Sequence, residues 1–318
     1  MRHDVVRDGA TSGARRAARA LGAAALVGAL GACADVPATP AAPVAAEAAL
    51  FTISTGLQTP ECALHDAERD VYLVSNINDA PLGKDNNGFI SRISPDGRVL
   101  DLKWIEGGRG GVTLHAPKGM AISRGTLYVA DIDEVRLFDA TTGAAKGSVA
   151  VPGATFLNDV EADNNGRIYV SDSGLRAGKD GFEPTGTDAV HVIEDGRVRA
   201  LVRDPKFGVP NGLLAAGATV WVANFGSADV VPVDRDGRKG APVAMPKGQL
   251  DGIAAYGNDW IVSSWLGTAL YRGRAGAGFR EIVTGLKSPG DIGIDAKRRR
   301  VLVPQVFEHQ FRVYALDR

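Results

Sequence analysis

Six positions of this chain fall at matching offsets in short repeated motifs, and most of them carry groups that could do chemistry. Glu61 lies in TPE, Lys118 in APKGM, Asn158 in LND, Asn211 in PNG and Asp251 in LDG; Gly290, in SPGD, takes the sixth place. Two of the six are carboxylates and two are carboxamides, with no histidine or cysteine among them. Oxygen donors in that mixture suit a hard divalent cation, calcium in particular. A water-filled tunnel would also be polar, but serine or threonine would satisfy that need and neither occurs in the set. A second set follows 13 to 15 residues later in each repeat: Asn76, Asp131, Asp172, Asn224, Ser264 and Gln305.

The elements that must position these residues are strands. Short runs of β-branched and aromatic residues recur (VYLVSN, TLYVADI, RIYVSDS, TVWVANF, DWIVSSW, RVLVPQV), separated by turn sequences such as SPDGR, NNGR, EDGR and DRDGR. The motifs start at 59, 116, 156, 209, 249 and 288, at intervals of 57, 40, 53, 40 and 39 residues. A four-stranded propeller blade needs about 40 residues or more. The fold class is therefore all-β, a six-bladed β-propeller. Its two ends nearly repeat one another: TGLQTPECALHDAERDVYLVSN at 55–76 and TGLKSPGDIGIDAKRRRVLVPQ at 284–305. The last repeat reaches only three strands, and ALFTIST at 49–55 occupies the place that FREIV holds before TGLKSPG. The N-terminal strand is expected to complete the last blade, closing the ring and removing free sheet edges.

Ahead of the propeller, expected over 49–318, the chain has a different character. Arg15, Arg16 and Arg19 precede the apolar run ALGAAALVGALGA, which has the length of a signal-peptide core and is shorter than the roughly 20 residues of a membrane span. It ends in LGAC, which resembles the lipobox of bacterial lipoproteins. That gives a signal peptide over 1–32 and lipidation at Cys33. An Ala/Pro-rich stretch over 33–48 has the composition of an extended tether. These features imply a lipid-anchored protein of the bacterial cell envelope, periplasm-facing or extracellular, meeting the membrane through its anchor alone. Cys62 is then left without a partner, so no disulfide is available and burial must hold the fold. A formal charge of −1 gives no electrostatic case for nucleic acid.

TPE at 59–61, LND at 157–159, PNG at 210–212 and LDG at 250–252, in order on successive repeats, resemble the senescence marker protein / gluconolactonase / luciferin-regenerating-enzyme family. The resemblance covers about residues 50–318. It implies a single calcium, or another divalent cation such as Mn2+, Zn2+ or Mg2+, in the central tunnel. Glu61, Asn211 and Asp251 would be ligands, with Asn158 lining the site, and the activity would be hydrolysis of a small-molecule lactone or related ester. In that setting Asp251 is the candidate general base or nucleophile. Asn158 would hold metal and substrate oxygen. Asp131 and Asp172 either contact substrate or cap turns at their strand ends. Lys118 departs from the pattern. Its ammonium could stabilise an oxyanion, pair with Glu61 or Asp251 in place of a metal, or point away. The alternative reading is a non-catalytic envelope propeller that binds a small ligand or a protein partner. Gly290 leaves a gap in the ring. Two long segments on the same face, 77–88 and 173–188, are candidate substrate lids. Of the histidines, His115 is the one placed to approach the tunnel mouth.

Overall fold

The second strand of every repeat is apolar on both faces because it is covered on both. In Val71–Asn76, for example, Tyr72, Leu73 and Val74 are all fully buried. A strand sandwiched between two neighbouring sheets reads as a continuous apolar run, whereas the outermost strands, such as Ala145–Ala150, are largely exposed. The computed structural model describes residues 48–316. The expected signal segment 1–32, Cys33 and nearly all of the tether 33–48 lie outside the described residues.

The described strands form six four-stranded antiparallel sheets and one separate hairpin. The six inner strands are Pro60–Asp66, Pro117–Ser123, Leu157–Ala162, Pro210–Ala216, Leu250–Tyr256 and Gly293–Asp295. Each is followed by its second strand: Val71–Asn76, Thr126–Asp131, Ile168–Asp172, Thr219–Asn224, Asp259–Ser264 and Arg300–Gln305. Among the described residues, buried side chains gather into six large clusters, each shared by two consecutive blades, and a small seventh of Ile77, Ala116 and Ile132, so the core is a ring of apolar wedges.

The ring closes as the matching ends imply. Phe51–Ile53 pairs antiparallel with Gln310–Ala315, Ile53 opposite Phe311, and so supplies the outer strand of the last blade. Ile53 and Leu57 are buried in the wedge between the last and first blades. Polar contacts reinforce the same seam. The Tyr72 hydroxyl donates to Asp295 at 2.6 Å, and Arg298 donates to both oxygens of Asp70 at 2.7 and 2.6 Å.

One expectation changes. Residues 173–188 are not an irregular loop, since Leu175–Gly178 and Gly181–Pro184 form an antiparallel hairpin between the second and third strands of the third blade.

If the N-terminal strand holds the ring shut, Ile53→Ala should lower stability by about 2–4 kcal/mol in urea denaturation, as for other buried isoleucines. A loss below ~0.5 kcal/mol would mean that the pairing contributes little.

Candidate active site

The six ring positions face one another because each inner strand carries one residue too many. Pro60 pairs with Asn76 but Ala63 pairs with Val74, so Glu61 and Cys62 together oppose a single residue. The same slip occurs at Lys118–Gly119, Asn158–Asp159, Asn211–Gly212 and Asp251–Gly252, and across Gly290–Ile292 in the last blade. Such a β-bulge bends the strand and re-aims its side chain. It also leaves an N–H without a ladder partner, which a buried backbone cannot tolerate. In three blades a serine of the second strand answers that need: Ser75, Ser171 and Ser263 accept from the N–H of Cys62, Asp159 and Gly252 at 2.9, 2.9 and 2.8 Å. Entry into the bulge is strained. Thr59, Val209, Gln249 and Ser288, each just before an inner strand or its first bridge, have φ of 49, 60, 54 and 41°, a region costly for side-chain-bearing residues and most so for β-branched valine.

The glycines of PNG and LDG have a packing cause. A Cβ on Gly212 would sit 2.2 Å from the Asp251 carbonyl oxygen, and one on Gly252 would sit 2.5 Å from the Ile292 nitrogen. Gly290 is explained in the same way, because a Cβ there would lie 2.3 Å from the Glu61 carbonyl oxygen. It is a close contact at the ring closure, not the opening for a ligand that its missing side chain suggested.

Glu61, Lys118, Asn158, Asn211 and Asp251 line a single cavity of about 340 Å³. All five are buried. Four acceptor oxygens on four blades, Glu61 Oε2, Asn158 Oδ1, Asn211 Oδ1 and Asp251 Oδ1, have no hydrogen-bond partner. The Asn158 amide is oriented by its own donation from Nδ2 to Ser173 Oγ at 3.1 Å, and that hydroxyl donates onward to the Pro210 carbonyl at 2.6 Å. Buried acceptors without donors are costly. Two carboxylates and two amide oxygens fit a divalent cation of the calcium type. Among the described residues no group of three or more His, Cys, Asp or Glu is placed to hold a metal ion, so the two amides are essential to any such site.

Burial disfavours the charged form of both carboxyls. Burial, then the charges of Asp251 and Asp291, push Glu61 well above the ordinary carboxylate range. Burial raises Asp251 to about 8, opposed by the neighbouring Trp265 and Asn211. Lys118 moves the other way: burial lowers it to about 8, while the charges of Glu61 and Asp131 resist. Its ammonium neither points away nor replaces the metal by pairing with a ring carboxylate. It donates to the Ala116 carbonyl at 3.0 Å and lies 4.7 Å from the Phe156 ring centroid.

Of the two roles considered for Asp131 and Asp172, the structure gives them the capping one. Neither lines the cavity. Asp131 accepts from the N–H groups of His115 and Ala116 and from Arg136 at 2.8 Å, and Asp172 accepts from Thr155, Phe156 and Gly174. Asn76, Ser264 and Gln305 latch their own junctions through Gln58, Gly248 and Lys287. In five of the six blades the strand-end residue thus fixes the segment entering the inner strand, which places the ring residue indirectly, whereas Asn224 donates to Asp229 at 2.8 Å. His115 also falls short of the tunnel. Its Nδ1 accepts from the Asn86 N–H at 3.0 Å, which ties segment 77–88 to the second blade.

The walls were missed by sequence reasoning. One position beyond each second strand stand Ile77, Ile132, Ser173, Phe225, Trp265 and Val306, and all but Ile132 line the cavity. Phe307, Phe182 and Phe156 complete an aromatic collar: Phe225–Trp265 and Trp265–Phe307 meet edge to face at 5.3 Å, and Phe156–Phe182 at 5.6 Å. The offset from the strand end was a usable signal, hidden by the variety of residue types.

No protein-family profile matches the sequence, and no curated protein matches it. Solved structures do. A gluconolactonase from Xanthomonas campestris superposes with a TM-score of 0.60 at 18% identity, over 81% of this chain and 86% of its own. A luciferin-regenerating enzyme gives 0.61 at 14% identity, over 83% and 94%. Virginiamycin B lyase from Staphylococcus aureus gives 0.56 at 13% identity, over 83% and 98%. At these identities the likeness establishes a shared β-propeller fold and no more, and gluconolactonase and luciferin-regenerating enzyme, which the sequence motifs resembled, are among the proteins that have it.

Proposed function

We propose that this cavity is the active site of a calcium-type, divalent-cation-dependent hydrolase of lactones or related esters. The observation that carries the reading is the four partnerless acceptor oxygens on four blades. Glu61, Asn158, Asn211 and Asp251 would hold the cation. When bound, it supplies polarisation of the ester carbonyl and stabilisation of the negative charge that builds there. Asp251, ionised in that state, takes the proton of the attacking water or attacks the carbonyl itself. Lys118, buried at the same cavity with a proton to donate, supports the developing oxyanion. The aromatic collar limits access of bulk water. Solved relatives of this fold that include a gluconolactonase support the lactone class. The LGAC motif with Cys33 supports placing this activity on a lipid anchor in the bacterial envelope. Lys118 favours a second reading, a ligand-binding propeller without catalysis, because an ammonium in the ring opposes a cation.

The two readings part on a calcium titration of the full chain by calorimetry, run at pH 7 in buffers of different ionisation enthalpy. The hydrolase reading expects one saturable site and release of up to about two protons per ion as Glu61 and Asp251 ionise. Glu61→Gln should lose that site, and Asp251→Asn should cut lactone hydrolysis by about 10²–10⁴-fold. Absence of saturable binding at millimolar Ca2+, Mn2+, Zn2+ or Mg2+ would leave the second reading.

Stability should also respond to pH when a chelator is present. Asp251 stands at about 8 in the folded chain against an ordinary 3.8, so folding keeps a proton that unfolding releases. Its stabilising effect is full below pH ~4 and is lost as pH rises toward 8. Asp251→Asn should therefore flatten the fall in stability between pH 6 and 8 and raise stability at pH 8, by about 1–4 kcal/mol in urea denaturation. A variant less stable than the parent at pH 8 would refute the buried-acid account.

A further inference from the structure

We propose that the substrate of this site is a lactone or ester bearing an apolar chain or ring, and that Phe182 and Phe307 select it at the cavity rim. The proposal rests on the hydrolase reading above and names its substrate class. The floor of the cavity is polar, but the walls are not. Phe225, Trp265 and Phe307 form a continuous edge-to-face series on one side, and Phe156 with Phe182 forms a pair on the other. Of the wall's polar groups, Ser173 Oγ is already engaged twice, accepting from Asn158 and donating to Pro210, which leaves the unpartnered Trp265 indole N–H and Gln249. A polyhydroxylated ring would therefore enter with several hydroxyls and find few partners above the floor. Each hydroxyl desolvated without a partner weakens binding by roughly 5- to 150-fold. An apolar substituent gains affinity with the area it buries against the same walls.

The rim points the same way. Phe307 and Phe182 are 66% and 51% exposed, unusual for aromatics that also pack edge to face. They come from independent elements, the residue pair after Arg300–Gln305 and the inserted Gly181–Pro184 strand, yet both border one opening. A cavity of about 340 Å³ falls within the size range of small-molecule sites. It can take a lactone ring at the floor with its substituent along the collar.

Two six-membered lactones test this on the full chain with calcium, because they share the reacting ring. δ-Dodecalactone carries an alkyl chain, and glucono-δ-lactone carries hydroxyls. We expect kcat/KM for δ-dodecalactone to exceed that for glucono-δ-lactone by at least about 100-fold, the equivalent of burying about three to four methylene groups. The double variant Phe182→Ser/Phe307→Ser changes only exposed rim positions. It should raise KM for δ-dodecalactone about tenfold and lower the preference for it over glucono-δ-lactone by about the same factor. Equal or better turnover of the sugar lactone, or a rim variant with unchanged KM, would overturn the proposal. If neither lactone is hydrolysed, the hydrolase reading falls and binding of the non-hydrolysable 2-heptylcyclohexanone decides this one. Calorimetric binding weakened about tenfold in the rim variant would sustain the apolar ligand, and no binding would end it.

Discussion

A strand that must pair with its neighbour and also turn a side chain toward the ring centre can do both by taking in one extra residue. In this molecule that happens in all six blades, at the second and third residues of five inner strands and immediately ahead of Gly293–Asp295 in the last. Much else follows from it. The serines at 75, 171 and 263 exist to satisfy the N–H that the bulge sets loose. The strand-end residues latch the entering segment so that the slip cannot relax. Positive φ at Thr59, Val209, Gln249 and Ser288 is the strain stored in making the turn.

The bulge also sorts neighbouring residues of similar chemistry into opposite roles. Asn158 and Asp159 are adjacent, both are buried and both carry side-chain oxygens. Asp159 is engaged by backbone, accepting from the N–H groups of Leu213 and Val160, both at 2.6 Å, and so ties the third blade to the fourth. Burial still raises it to about 6. Asn158, turned the other way, keeps a free Oδ1 at the cavity. The LND motif is thus one structural residue and one candidate ligand side by side. Asp291 repeats the structural role at the ring closure, where its backbone N–H donates to the Glu61 carbonyl at 2.8 Å and its carbonyl accepts from Ala63 at 3.1 Å.

Repeats made the fold legible. The runs from VYLVSN to RVLVPQV mark strands buried on both faces, and the matching ends announce the closure that Phe51–Ile53 performs. The four acceptor residues were legible too, since tripeptides in order on successive repeats placed them on one ring. The one-residue slip was not, because alternation of side chains cannot show which pair of residues opposes one. Asp131 and Asp172 were ambiguous for a physical reason: a carboxylate at a strand end has backbone N–H groups within reach, and these win over any ligand. The hairpin at 175–184 carries the glycine, lysine and aspartate of a loop, so composition hid its pairing. The collar was hidden because Phe225, Trp265 and Val306 share a position but not a residue type.

Lys118 is the residue that sets this ring apart, and its presence is compatible with a cation once charge is counted. With both carboxyls neutral, the form their burial favours, the five cavity residues carry only the charge of Lys118. Replacing two carboxyl protons by one divalent ion leaves that sum unchanged. The ammonium would then meet the same total charge in either state, and its anchors, the Ala116 carbonyl and the Phe156 ring, belong to neither carboxylate. A lysine that paired directly with Asp251 would have to break that pair before a cation could bind. One held by a backbone carbonyl and an aromatic face can stay in place, which is the arrangement a fixed oxyanion donor requires.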